Sequence, residues 1–146
     1  MQVDFYHLAA GAPERVIARI AERILDGGGR LLVVAADDAQ AAALDAALWS
    51  VAPESFLPHG LAGEGGEADQ PILIATAPEP LNGARHIALA DGAWRDEALA
   101  FDRAFHLFDE ATIAAARQAW KALAPREGIE RNFWRQDEAG RWGKVA

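Results

Sequence analysis

The sequence predicts an α/β fold, a mainly parallel central sheet with helices on its faces. Two observations carry this. The chain reads strand, helix, strand, helix, strand in order from its start, and successive crossovers of that kind are right-handed and give parallel strands. Leu31 to Ala35 (L-L-V-V-A) is an unbroken apolar run, the pattern of a strand covered on both faces.

The elements follow in order. Val3 to Leu8 (V-D-F-Y-H-L) alternates apolar and polar side chains and reads as a first strand. Pro13 suits the first turn of a helix, in which Val16, Ile17, Ile20, Ile24 and Leu25 form one apolar stripe. Gly27-Gly28-Gly29 ends it. Asp37 or Asp38 can cap a second helix that runs to about Trp49, with Leu44, Ala47 and Leu48 facing the core. Ile72 to Ala75 and Ile87 to Leu89 are short strands, and Phe101 to Phe108 is another. Asp109 can cap a last helix through about Ala124, which Pro125 stops. Phe133 to Val145 places aromatics around a D-E-A-G turn and reads as a hairpin. With 146 residues and no linker or repeat, one domain over residues 1–146 is expected.

Composition removes several function classes. There is no cysteine, so neither a disulfide framework nor a thiolate metal site can form. No apolar run approaches the roughly 20 residues that span a bilayer, and no secretory leader is visible. A cytoplasmic protein without membrane contact is expected. The net charge of −8 argues against a general nucleic-acid binder. Charge is uneven, however: residues 1–100 carry 6 basic and 15 acidic side chains, residues 101–146 carry 8 and 7. Ile113 to Arg126 holds Arg117, Lys121 and Arg126 with no acid.

Catalytic and cofactor motifs are missing. The A-A-G-A-P turn after the first strand lacks the glycine spacing of a dinucleotide site, and no phosphate-cradling G-x-x-x-x-G-K-[ST] loop occurs. The glycines at 60–66 lead into Glu64, Glu67 and Asp69, which repel phosphate. His7, His59, His86 and His106 form no i,i+4 pair, so no metal set is indicated, and Ser55 with His59 lacks a nucleophile elbow. Asp4 reads as a structural carboxylate. No enzyme, cofactor or metal emerges. The rivals to weigh are a nucleotide-dependent enzyme and a direct single-strand binder stacking bases on Trp120, Trp134 and Trp142.

Two binding surfaces remain. Ala47 to Gly65 (A-L-W-S-V-A-P-E-S-F-L-P-H-G-L-A-G-E-G) has neither helical nor strand period beyond the helix end, yet holds Trp49, Phe56, Pro58 and His59. Trp49 falls about 140° round the helix from Leu44, off the core stripe. The block either tucks its rings beneath the connection or anchors a partner. On the last helix, Ile113, Ala116, Trp120 and Leu123 share a face, flanked by Arg117 and Lys121 one turn apart. That pairing is either a core Trp bordered by solvated cations or a site for an extended peptide with an acidic or carboxylate end.

D-F-Y-H-L, the long block L-D-A-A-L-W-S-V-A-P-E-S-F-L-P-H-G-L-A-G-E-G, F-D-R-A-F-H-L-F-D and A-R-Q-A-W-K occur in one order. With them the chain resembles the chi subunit of bacterial DNA polymerase III holoenzyme along nearly its whole length. The resemblance implies a Rossmann-like fold and a non-catalytic subunit joining the clamp loader, usually through a subunit called psi, to single-stranded-DNA-binding protein (SSB). It implies that Arg117 holds a carboxylate of the acidic, Phe-ended SSB tail, Trp120 shapes the pocket and Lys121 attracts the acids, with Ile113 and Phe108 as pocket wall. Trp49, Phe56, Pro58 and His59 would then take psi or an alternative clamp-loader or helicase-like partner, and DNA would be met only indirectly. One departure stands out. An extension at about 127–146 (R-N-F-W-R-Q-D-E-A-G-R-W-G-K-V-A at its end) has no counterpart in the family's best-known forms, and could cover or extend the tail site.

Overall fold

The structure is a computed structural model that describes residues 1–9, 13–50 and 57–146. Its strands are β1 (Gln2–His7), β2 (Leu31–Val34), β3 (His59–Leu61), β4 (Ile72–Ala75), β5 (His86–Leu89), β6 (Arg103–Phe108), β7 (Glu130–Gln136) and β8 (Trp142–Lys144). The helices are α1 (Glu14–Asp26), α2 (Asp38–Ser50) and α3 (Ile113–Leu123). The strands form one sheet in the order β3-β4-β2-β5-β6-β1-β7-β8. Every pair is parallel but the last, β7 with β8. The expected α/β architecture, Rossmann-like and with a mainly parallel sheet, is what the chain adopts.

Local chemistry explains the elements. Pro13 sits at the N-cap position of α1 with φ −69°, already near helical geometry. Ile17, Ile20 and Ile24 are buried with Ala18 and Ala21 between them, while Val16 and Leu25 border the stripe. At the far end the N–H groups of Gly27, Gly28 and Gly29 satisfy the carbonyls of Arg23, Leu25 and Ile24, and Gly28 takes φ +80° to do so. Asp37 is the cap of α2: its Oδ1 accepts from the Gln40 N–H at 2.8 Å. Ala41, Leu44 and Leu48 are the buried side of that helix.

Side chains alternate across the sheet, so it has two cores. Ile17, Ile20, Leu31, Val33, Leu44, Leu48, Ile72 and Ile74 belong to the α1/α2 face. Val3, Phe5, Leu32, Val34, Leu73, Ile87, Phe108, Ala116 and Leu123 belong to the α3 face. All four residues of β2 are buried.

Three features differ from expectation. His59–Leu61 was expected to be irregular but pairs with Ile72–Ile74 as an edge strand. Three residues are too few to display a period, and the Gln70 side chain packs over Gly60, where a Cβ would lie 2.8 Å from its Cδ and displace it. Helix α3 begins at Ile113 because Asp109 caps a preceding turn instead, its Oδ1 accepting from the Thr112 N–H at 3.1 Å. The expected terminal hairpin is present, but β7 also inserts beside β1, pairing Gln2–His7 with Glu130–Arg135. Residues at 127–146 are therefore partly woven into the sheet.

Asp4 fills the structural role expected of it. It is 1% exposed on β1. Its Oδ2 accepts from Arg103 Nε at 2.8 Å, and its Oδ1 from Asn132 Nδ2 at 3.1 Å and Trp134 Nε1 at 3.3 Å. One carboxylate thus ties β1 to both neighbours, β6 and β7. Among the described residues no helix is long and apolar enough to cross a membrane.

Candidate functional site

The α3 helix places its small residues inward and its cations outward. Ala116, Ala119 and Leu123 are buried, which lets the helix approach the sheet closely. Ile113 and Trp120 lie half-buried along the same side. Arg117 and Lys121 are exposed, one turn apart and flanking Trp120. The face proposed from helical spacing is the face that packs.

Trp120 is wedged edge-on between rings from two strands. Phe5 lies 5.3 Å away at 84° and Phe133 5.6 Å away at 86°, both favourable T-shaped geometries. Its outer face is taken by Arg131 of β7, whose guanidinium carbon sits 4.0 Å from the ring centroid. Arg131 also donates to the Trp120 carbonyl. This residue was not found by sequence reasoning, since only the pairing of β7 with β1 brings it to α3. The signal available was its position two residues before Phe133, which puts both on one side of a strand.

A basic surface results on an acidic protein. Arg131 covers the Trp120 ring and Arg117 and Lys121 are exposed on the helix that carries it; among the described residues none of the three pairs with a carboxylate. Chemically this can grip a carboxylate through paired N–H donors while part-exposed Ile113 offers an apolar contact beside them. Phe108 is deeper than a wall residue would be. It is 2% exposed and stacks on His7 at 5.3 Å, so it supports the site from within the core.

Beneath α3 lies a buried imidazole. His106 is packed by Phe5, Trp94 and Phe108, with centroids 5.4, 5.6 and 5.5 Å away. Neither ring nitrogen has a hydrogen-bond partner among the described residues. Burial pushes its pKa down to about 4, with Asp91 pulling weakly upward and Arg95 adding to the fall.

The second surface lies at the end of α2. Trp49 is 58% exposed, as its displacement from the core stripe requires. Its ring centroid is 4.5 Å from that of His59. His59 itself turns inward at 8% exposed, with Nδ1 2.6 Å from the Leu57 carbonyl and Nε2 3.2 Å from Asp45 Oδ1. It acts as a prop for Trp49 more than as an open contact. Pro58 is half-buried, and Phe56 lies outside the described residues. The sheet order sets the two surfaces apart: Trp49 sits by the edge strand β3, whereas Trp120 packs over β1 and β7, with β4, β2, β5 and β6 between.

Comparison with known proteins gives the family. Residues 1–130 match the family described as DNA polymerase III chi subunit, HolC. The DNA polymerase III subunit chi of Escherichia coli (strain K12) is 34% identical over 114 residues, covering 76% of this chain and 78% of that protein. The subunit chi of Pseudomonas aeruginosa is 37% identical over 84 residues, 56% of this chain and 58% of that protein. That of Haemophilus influenzae is 34% identical over 62 residues, 42% and 43% of the two chains. Arg131 and the β8 strand lie beyond the matched span, while Trp49, Arg117, Trp120 and Lys121 lie within it. On this match and these identities, the chain belongs to the DNA polymerase III chi subunit family.

Proposed function

We propose that this chain is a non-catalytic accessory subunit that links the clamp-loader complex, through psi or an equivalent, to the C-terminal tail of SSB. The observation that carries the reading is Arg131 stacked on Trp120, with Arg117 and Lys121 exposed on the same helix, on a chain of net charge −8. An acidic peptide ending in an aromatic residue complements that surface: carboxylates meet the guanidinium groups, and the terminal ring rests on the part-exposed border of α3 at Ile113. Membership of a polymerase-subunit family makes a replication peptide the reasonable occupant.

Titrating the full chain with a peptide of the SSB tail tests this. Binding should weaken as salt is added, because exposed charges are screened. Arg117→Ala should weaken it by about 1–3 kcal/mol, the range for a lost charge-assisted hydrogen bond. Unchanged affinity in a folded Arg117→Ala protein would place the tail elsewhere.

Trp49 is proposed as the anchor of the second partner, with Pro58 and Phe56 beside it. Trp49→Ala should weaken psi or clamp-loader association by roughly 2 kcal/mol or more, in the range of an interface hot spot. Tail binding and the melting temperature should stay close to the parent's, because the ring is largely exposed. Loss of folding on this substitution would instead make Trp49 a packing residue.

A further inference from the structure

On the flank of α1 away from α2, the structure holds a half-open cavity of about 260 Å³ between helix and sheet. Ile20 and Ile24 form one wall. Tyr6 and Phe105 form the other, their rings 6.2 Å apart and nearly parallel at 23°. Arg23 and Arg103 stand at its margin, and no carboxylate lines it. On a chain with 22 acids and 14 Lys and Arg residues, that is a locally cationic slot.

Its polar groups are positioned and incompletely used. Arg23 makes no ion pair among the described residues. Arg103 pairs with Asp4 through Nε and Nη2, hydrogen-bonds the Tyr6 hydroxyl and lies over the Phe105 ring at 4.6 Å from its centroid, so its guanidinium is fixed at the cavity. The His86 Nδ1, also at the cavity, is buried with no hydrogen-bond partner. Burial, and next the Asp4 carboxylate, raise the pKa of the Tyr6 phenol, whose hydroxyl is hydrogen-bonded to Arg103.

We propose that this cavity is a binding site for a small organic anion with a flat body. The body slides between Ile20, Ile24 and the Tyr6–Phe105 rings, and the anionic head lies between Arg23 and Arg103. The volume suits one ring with its head group and excludes an extended chain. A phosphate and a carboxylate offer the same recognition chemistry to two guanidinium groups.

The test is an amide NMR titration of the full chain at low salt with phenyl phosphate and, separately, with N-acetylphenylalanine. A saturable response at Gly27–Gly29, His86 and Ile87 to either probe is expected; which probe binds identifies the head group. Arg23→Glu should weaken that binding about tenfold or more. Arg15→Glu, an equal charge change at an exposed position of α1 outside the cavity, should leave it unchanged. The proposal is overturned if neither probe saturates at these residues, or if both variants weaken binding equally.

Discussion

Asp4→Ala is expected to destabilise the fold by roughly 2–4 kcal/mol, within the range for breaking a buried, hydrogen-bonded charge pair. The carboxylate is 1% exposed and accepts from Arg103, Asn132 and Trp134. Truncation strands the Asn132 amide, itself buried, and releases a guanidinium that is partly wet, which keeps the cost below that of two fully buried charges. Because the donors come from β6 and β7, the loss falls on the pairing of β1 with both neighbours. Asp4→Asn keeps an acceptor oxygen without the charge and should lose less. Chemical denaturation of the two variants checks the order, and equal stability of Asp4→Ala and the parent would remove the carboxylate from the account.

The second large effect is acid sensitivity. His106 has its folded-state pKa depressed to about 4 against 6.5 for an ordinary histidine. The unfolded chain therefore takes up a proton first as pH falls. Stability from the neutral imidazole is complete above about pH 6.5, declines between there and pH 4, and the full difference is on the order of 3 kcal/mol. Unfolding free energies measured from pH 7 to pH 4 should show this decline. His106→Phe should flatten it, since a ring of similar shape packs against Phe5, Trp94 and Phe108 with no proton to bind. A slope that survives in His106→Phe would assign the acid sensitivity to other groups.

These two residues also show where sequence reasoning reaches and where it stops. The alternation D-F-Y-H in β1 and the apolar run of β2 were legible because burial on one or two faces leaves a period of its own. The stripe Ile17, Ile20, Ile24 was legible for the same reason, and Trp49 could be placed outside because helical geometry is rigid enough to compute from spacing. What was hidden depends on pairing between distant segments. Asp4 could be read as a structural carboxylate, but its partners could not, because Asn132 and Trp134 reach it through β7 from more than a hundred residues away. Arg131 reached Trp120 by the same insertion. β3 was hidden by its shortness, and the inward turn of His59 by its hydrogen bonds to Leu57 and Asp45.

The candidate site divides along the same line. Arg117, Trp120 and Lys121 could be assembled from one helix, whereas the cation that covers the ring could not. The resemblance carried by A-R-Q-A-W-K supplied an occupant, and the observed burial of Phe108 limits how deep that occupant can reach. Charge complementarity argues for an acidic peptide; packing argues for a shallow seat on α3 and β7.

The central claim is that two separate surfaces join two partners at once. Gel filtration of the chain with psi and with SSB carrying its intact tail tests this most directly. The account predicts one complex containing all three proteins, from which Arg117→Ala loses SSB alone and Trp49→Ala loses psi alone. Mutual displacement of SSB and psi, or loss of both partners from either variant, would contradict it.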